Sequence, residues 1–153
     1  MKKSILSLTS AFLVAFSLNA QKVEFEEYDL DNGMHVILHQ DKSAPVVTVG
    51  VMYHVGAKDE VDGKTGMAHF YEHLLFTGTK NIERGKWSEI SSARGGAGNA
   101  NTNWDRTYYY QTFPSNELKL ALWMESERLL HPIIDQKAVD TQNEVVKEEK
   151  RQR

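Results

Sequence analysis

His69-Phe70-Tyr71-Glu72-His73 constrains this chain more than any other stretch, because it makes chemical sense only as a helix packed against a core. Two histidines four apart fall one turn apart on one helical face, where both imidazoles can reach a single metal ion. At ~100° per residue, Glu72 lies about 60° from His69 and about 100° from His73 around the helix. A carboxylate there stands beside the ion, placed to take a proton from a bound water. Met67, Ala68, Phe70, Leu74 and Leu75 make the segment apolar, so the three ionisable groups sit in or beside a core. Buried ionisable groups need a partner, and a metal supplies one. The alternative is a helix whose histidines merely pack or cap.

The pentapeptide reads H-x-x-E-H, the reverse of the commoner H-E-x-x-H of zinc hydrolases. A catalytic zinc takes three protein ligands and keeps a position open for water, so a third ligand is needed. Glu144, Glu148 and Glu149 are the downstream candidates. Val145 and Val146 mark the inward face of the helix that carries them. At ~100° per residue, Glu149 falls within about 10° of that face, Glu148 about 110° away and Glu144 about 150° away. Ala138 and Gln142 share the inward stripe. The competing view makes Glu149 one more carboxylate of an acidic helix end. His35 and His39 share a strand face but stand about 13 Å apart, too far for one ion, and His54 and His131 are isolated in sequence.

The first twenty residues read as an export signal and not as part of the fold. Lys2 and Lys3 form a positive n-region, Ile5 to Leu18 is apolar with hydroxyls interspersed, and Ala20 offers a cut before Gln21. The stretch is too short and too hydroxyl-rich for a membrane span; the alternative is an anchor that stays attached. With no cysteine there is neither a lipid-bearing cysteine nor a disulfide framework. Export without disulfides suits a bacterial periplasm or cell surface, or secretion. Loss of Lys2 and Lys3 takes the formal charge from −3 to −5, and a mildly acidic chain with no basic run argues against nucleic acid. Residues 21–153 suffice for one domain with a real core.

Along those residues, 23–29 and 34–39 read as strands joined at Asp31-Asn32-Gly33, and Val46 to Val55 reads as a central strand completing a meander. Met67 to Phe76 is the motif helix and Trp87 to Ala93 a short one. Residues 99–103 and 106–113 are strands joined around Trp104-Asp105. Pro114-Ser115-Asn116-Glu117 opens a long helix with Leu118, Leu122, Trp123, Leu129 and Leu130 as its expected core residues, and a last helix starts near Asp135. The pattern predicts an α+β fold, a mostly antiparallel sheet covered by helices on one face.

Three segments then resemble one family, the pitrilysin/insulinase zinc peptidases with the inverted motif. Gly66 to Thr79 is similar to its G-x-A-H-x-x-E-H-x-x-F-x-G-T signature. Asn99-Ala100-Asn101-Thr102 with Asp105, Thr107 and Tyr109 is similar to its N-A-x-T-x-x-D-x-T-x-Y segment, and Val145 to Glu149 to the segment with its distal zinc glutamate. The resemblance implies one zinc ion held by His69, His73 and Glu149, with Glu72 as general base. It implies that Asn99 and Ala100 hydrogen-bond the backbone of an extended peptide. Gln142 stands where the family often has an auxiliary acid, a departure that alters ligand orientation or metal affinity. Family members are several hundred residues long, with two similar halves or separate subunits closing on the peptide. Residues 21–153 therefore resemble the truncated N-terminal part of such a peptidase domain, expected to be inactive without the missing half or a partner subunit.

The implied activity is zinc-dependent hydrolysis of peptide bonds in exported peptides or unfolded polypeptides. The rival is a non-catalytic peptide-binding or assembly subunit of a peptidase complex, against which the intact Glu72 argues, since zinc binding does not need it. A structural zinc would need a fourth protein ligand, and no cysteine exists to supply it.

Overall fold

A computed structural model describes residues 23–152. The expected export signal at 1–20 lies outside the described residues. The chain falls into two compact units, one ending at Lys42 and one beginning at Ser43.

The first unit is a two-stranded antiparallel hairpin, β1 (Glu26–Asp29) and β2 (His35–Leu38), with Glu26 opposite Leu38 and Asp29 opposite His35. Asn32 makes its turn, its Oδ1 accepting from the Met34 amide at 3.1 Å. His35 Nδ1 lies 2.8 Å from Asp29 Oδ1, and that hydrogen bond raises the imidazole pKa above its ordinary value.

The second unit is built on a three-stranded antiparallel sheet. Its strands are β3 (Val46–Tyr53), β4 (Ala97–Thr102) and β5 (Thr107–Pro114), in the order β3-β5-β4. The expected meander is thus corrected: among the described residues β2 pairs with β1, and β3 takes β5 as its partner, with Val47 opposite Phe113 and Tyr53 opposite Thr107. β3 is an edge of this sheet and β5 its centre. The pairing of β5 with β4 closes through a tight turn, Asn103 Oδ1 accepting from the amides of Asp105 and Arg106. The period of two puts Thr107, Tyr109, Gln111 and Phe113 on one buried face of β5.

Among the described residues two helices, α1 (Met67–Leu74) and α2 (Trp87–Ala93), lie between β3 and β4, and two more, α3 (Leu118–Leu130) and α4 (Gln136–Gln152), follow β5. A 3₁₀ turn, Ser115–Glu117, leads into α3. Ile82, Trp87, Phe113, Ala121 and Met124 form the buried core, with Val47, Val49 and Phe76 packed on it. The α+β architecture is the one the sequence predicts. No helix among the described residues is long and apolar enough to cross a membrane.

The expected core residues of α3 are corrected. Leu118, Leu122, Trp123 and Leu130 are exposed and Leu129 is half-buried, whereas the face on the core is Ala121, Met124, Glu125 and Arg128, with Glu127 buried beside it against Thr79 and Asn81. That spacing of three, four and seven is a proper helical face; it escapes a hydropathy reading because half of it is charged. The charges are satisfied locally. Arg128 Nε donates to Glu125 Oε2 at 3.0 Å, Gln111 Nε2 donates to Glu125 Oε1, and the guanidinium lies 4.0–4.4 Å from the ring centres of Trp87, Phe76 and Tyr109.

Candidate metal centre

α1 starts where a left-handed residue turns the chain. Gly66 has φ 89°, a conformation that a side chain would strain. No side chain at Gly66 can cap the helix, and Glu60 does so from the preceding loop. Its two oxygens accept from the amides of Gly66 and Ala68 at 2.8 and 2.9 Å, and a carboxylate at that end also matches the helix dipole. At the other end Arg128 Nη1 donates to the carbonyl of Leu75 at 3.1 Å. Both ends of the motif helix are thus held by charged groups from outside it. Glu60→Ala is expected to cost about 1 kcal/mol, the usual worth of a cap. Urea unfolding at neutral pH would measure it, and a cost near zero would show that water replaces the carboxylate.

On the half-buried face of α1, His69 Nε2 and His73 Nε2 stand 3.2 Å apart, with the rings edge to face at 4.7 Å. α4 brings Glu149 to them, Oε2 at 3.5 Å from His69 Nε2 and Oε1 at 3.5 Å from His73 Nε2. These three residues form the one His/Asp/Glu group among the described residues that could hold a metal ion. Zinc bonds of 2.0–2.1 Å in tetrahedral geometry put ligand atoms about 3.4 Å apart. The three separations therefore fit one zinc with little movement. Glu144 and Glu148 are exposed and pair with Lys147 and Arg151, as the helical phase predicts. Of the two valines used to set that phase, Val146 is half-buried and Val145 is exposed.

Glu72 is 8% exposed. Thr102 Oγ1 donates to its Oε2 at 2.6 Å, and Thr102 in turn contacts Thr107 Oγ1 at 3.2 Å, whose own hydrogen goes to the carbonyl of Val55. With Thr107 committed to Val55, the Thr102 proton is available to the carboxylate. Tyr109 OH donates weakly to the Glu72 carbonyl at 3.4 Å, and burial pushes this phenol well above its ordinary pKa despite the nearby Arg128 cation. The hydroxyl role of Thr102 is absent from a reading by motif spacing alone. Strand alternation could have found it, since Thr102 shares a face with Ala100 and that face meets α1.

Asn99, Ala100 and Thr102 line the same cleft as His69, His73 and Glu149, a space of about 600 Å³. The amide of Asn103 donates to the carbonyl of Arg106. By the alternation of antiparallel pairing, the backbone groups of Gly98, Ala100 and Thr102 then point away from β5 toward the outer edge of β4. The Ala100 amide there is taken by its neighbour, Asn99 Oδ1, at 2.9 Å. Gln142 is half-buried on the stripe of α4 that carries Glu149, two turns earlier, and does not line the cleft. His54 and His131 have partners outside the cleft, Asp105 at 3.4 Å and Glu127 at 3.3 Å.

Fold and site together define a class: an α+β unit with a helix-borne histidine pair, a carboxylate from a second helix and a buried glutamate beside them. The chain belongs to the insulinase family, peptidase family M16, whose model matches residues 35–152. It is similar to the zinc protease PqqE of Helicobacter pylori, 33% identical over 156 residues, covering 99% of this chain and 35% of that one. It is 30% identical over 129 residues to human insulin-degrading enzyme, covering 84% of this chain and 13% of the enzyme. The mitochondrial-processing peptidase subunit beta of Blastocladiella emersonii is 30% identical over 149 residues, covering 95% of this chain and 31% of that subunit. A crystal structure of a protease from Helicobacter pylori superposes with a TM-score of 0.83 at 34% identity, covering 86% of this chain and 32% of that one. The chain thus spans about a third or less of the length of these relatives.

Proposed function

We propose that the protein carrying this chain is a zinc-dependent endopeptidase acting on exported peptides or unfolded polypeptides. The observation that carries this reading is the set of three donor atoms 3.2–3.5 Å apart with a buried glutamate on the same helix. His69, His73 and Glu149 would hold the ion. A zinc ion held there would supply a water of lowered pKa and a Lewis acid for the scissile carbonyl. Thr102 occupies Glu72 Oε2, so Oε1 is the atom that receives a proton from the water and returns it to the leaving amine. The outer edge of β4 accepts the peptide as an added strand, the Ala100 amide exchanging Asn99 Oδ1 for the substrate carbonyl. Gln142 supports the ligand helix without touching the peptide. A second half of the protein, or a partner subunit, closes the cleft; the length of the relatives supports this. The charged and apolar start of the chain supports delivery to a bacterial periplasm or cell surface.

The test is metal content and cleavage of a quenched fluorescent peptide mixture by the full-length protein, native and Glu149→Ala. One zinc per native protein is expected. Loss of an outer-shell partner alone costs ten- to a hundredfold in affinity, so Glu149→Ala should weaken zinc binding by more than about a hundredfold and abolish cleavage. Unchanged zinc affinity in Glu149→Ala would remove it from the ligand set. Zinc in the native protein with binding but no cleavage of any peptide would favour the non-catalytic subunit.

A further inference from the structure

Apart from the metal cleft, a small cavity of about 240 Å³ lies between α2 and the sheet, lined by Phe76, Trp87, Ser91, Gly98 and Gln111. Two of the lining residues, Ser91 and Gln111, are at most 5% exposed and each carries a buried side-chain atom with no hydrogen-bond partner, Ser91 Oγ and Gln111 Oε1. Orphaned polar atoms at such depth are uncommon and call for an occupant. The orientation of the Gln111 amide is fixed, because its Nε2 donates to Glu125; Oε1 is therefore an acceptor. Ser91, on α2, can donate or accept. The space is several times the ~30 Å³ of one water.

No charged side chain lines this cavity, so an ion inside would lack compensation. A cation is further opposed by Arg128, which stacks on the Trp87 and Phe76 rings. What matches is a neutral group with a donor for Gln111 Oε1 and an acceptor for the Ser91 hydroxyl. A primary carboxamide has both.

The cavity is also placed along the peptide path. Gly98 lines it, and Ala100, two residues on in β4, lines the metal cleft. In an added strand, the residue opposite Gly98 sends its side chain to the same sheet face as Gln111, two residues from the one opposite Ala100. Gly98 lets the Gln111 side chain lie close over β4, since a Cβ there would meet Tyr110 O at 2.6 Å and Gln111 Cγ at 2.8 Å. We propose that this cavity is a specificity subsite for an asparagine or glutamine side chain of the bound peptide. The proposal rests on the peptidase reading for the peptide itself.

The experiment is a positional library of quenched peptides cleaved by the full-length native protein and by Ser91→Ala, with affinities for the same peptides measured on Glu72→Gln and on Glu72→Gln/Ser91→Ala. The native protein should prefer Gln or Asn over Leu, Glu and Lys at a single position by about tenfold, the scale of one or two hydrogen bonds. Ser91→Ala should erase that preference and leave turnover of the Leu peptide unchanged. A flat profile in both turnover and affinity would overturn the subsite and leave the cavity to water. Absence of all cleavage with the affinity preference intact would uphold the subsite and sink the peptidase reading instead. A preference that survives Ser91→Ala unchanged in both measurements would place its origin elsewhere and also overturn the proposal.

Discussion

Glu72→Gln in the full-length protein is expected to lower kcat/KM for peptide cleavage by about 10³-fold or more, at the upper end of what a general base contributes. Zinc content should stay at the native level. The substitution keeps size and keeps an oxygen for the Thr102 hydroxyl, which now donates to Oε2 at 2.6 Å. It removes only the capacity to hold a proton. Metal analysis, peptide binding and single-turnover cleavage on the same sample separate these effects. Cleavage within threefold of native would show that another group takes the proton, and a matching loss of zinc would make Glu72 part of the metal's support. Thr102→Val should fall between native and Glu72→Gln in kcat with KM little changed, and Thr102→Ser should recover most of the loss.

Arg128→Met is expected to have the largest effect on stability, about 3–5 kcal/mol, the range for stripping a buried charge of its partner. Arg128 and Glu125 are 1% and 2% exposed. Glu125 would keep only the Gln111 amide, and the Leu75 carbonyl at the end of α1 would lose its donor. Replacing both members, Arg128→Met with Glu125→Leu, should recover part of that loss, since a buried pair exchanged for apolar residues is often near neutral. Denaturant midpoints for both variants decide this. A cost below about 1 kcal/mol for Arg128→Met would mean that water or a side-chain shift compensates Glu125.

The legible and illegible parts of this molecule divide along physical lines. Helical period was enough to set His69 with His73 on one face of α1 and to single out Glu149 over Glu144 and Glu148 on α4, while the meeting of the two stripes at one site was implied by the family resemblance and not by period. The short helix at Trp87–Ala93 was also readable. The pairing of β3 with β5 was not: Val47 and Phe113 are far apart in sequence, and nothing local to Val46–Tyr53 says which strand it meets. The stripe of α3 misled for a different reason. Hydropathy counts Arg128 as polar, whereas three aromatic rings and a carboxylate make it a core residue. Thr102 and Ser91 show the same blindness to small hydroxyls, whose roles depend entirely on what the fold sets opposite them.

Glu149 lies 76 positions after His73, whereas His69 and His73 are one helical turn apart. A chain emerging from the ribosome therefore displays the histidine pair long before the carboxylate exists. Closing so long a loop has an entropic cost that grows only with the logarithm of its length, but it cannot begin until α4 has been made. The trio of donors is consequently a late product of biogenesis, complete only when α4 has docked on α1, and a chain interrupted before residue 149 carries the histidine motif without that trio.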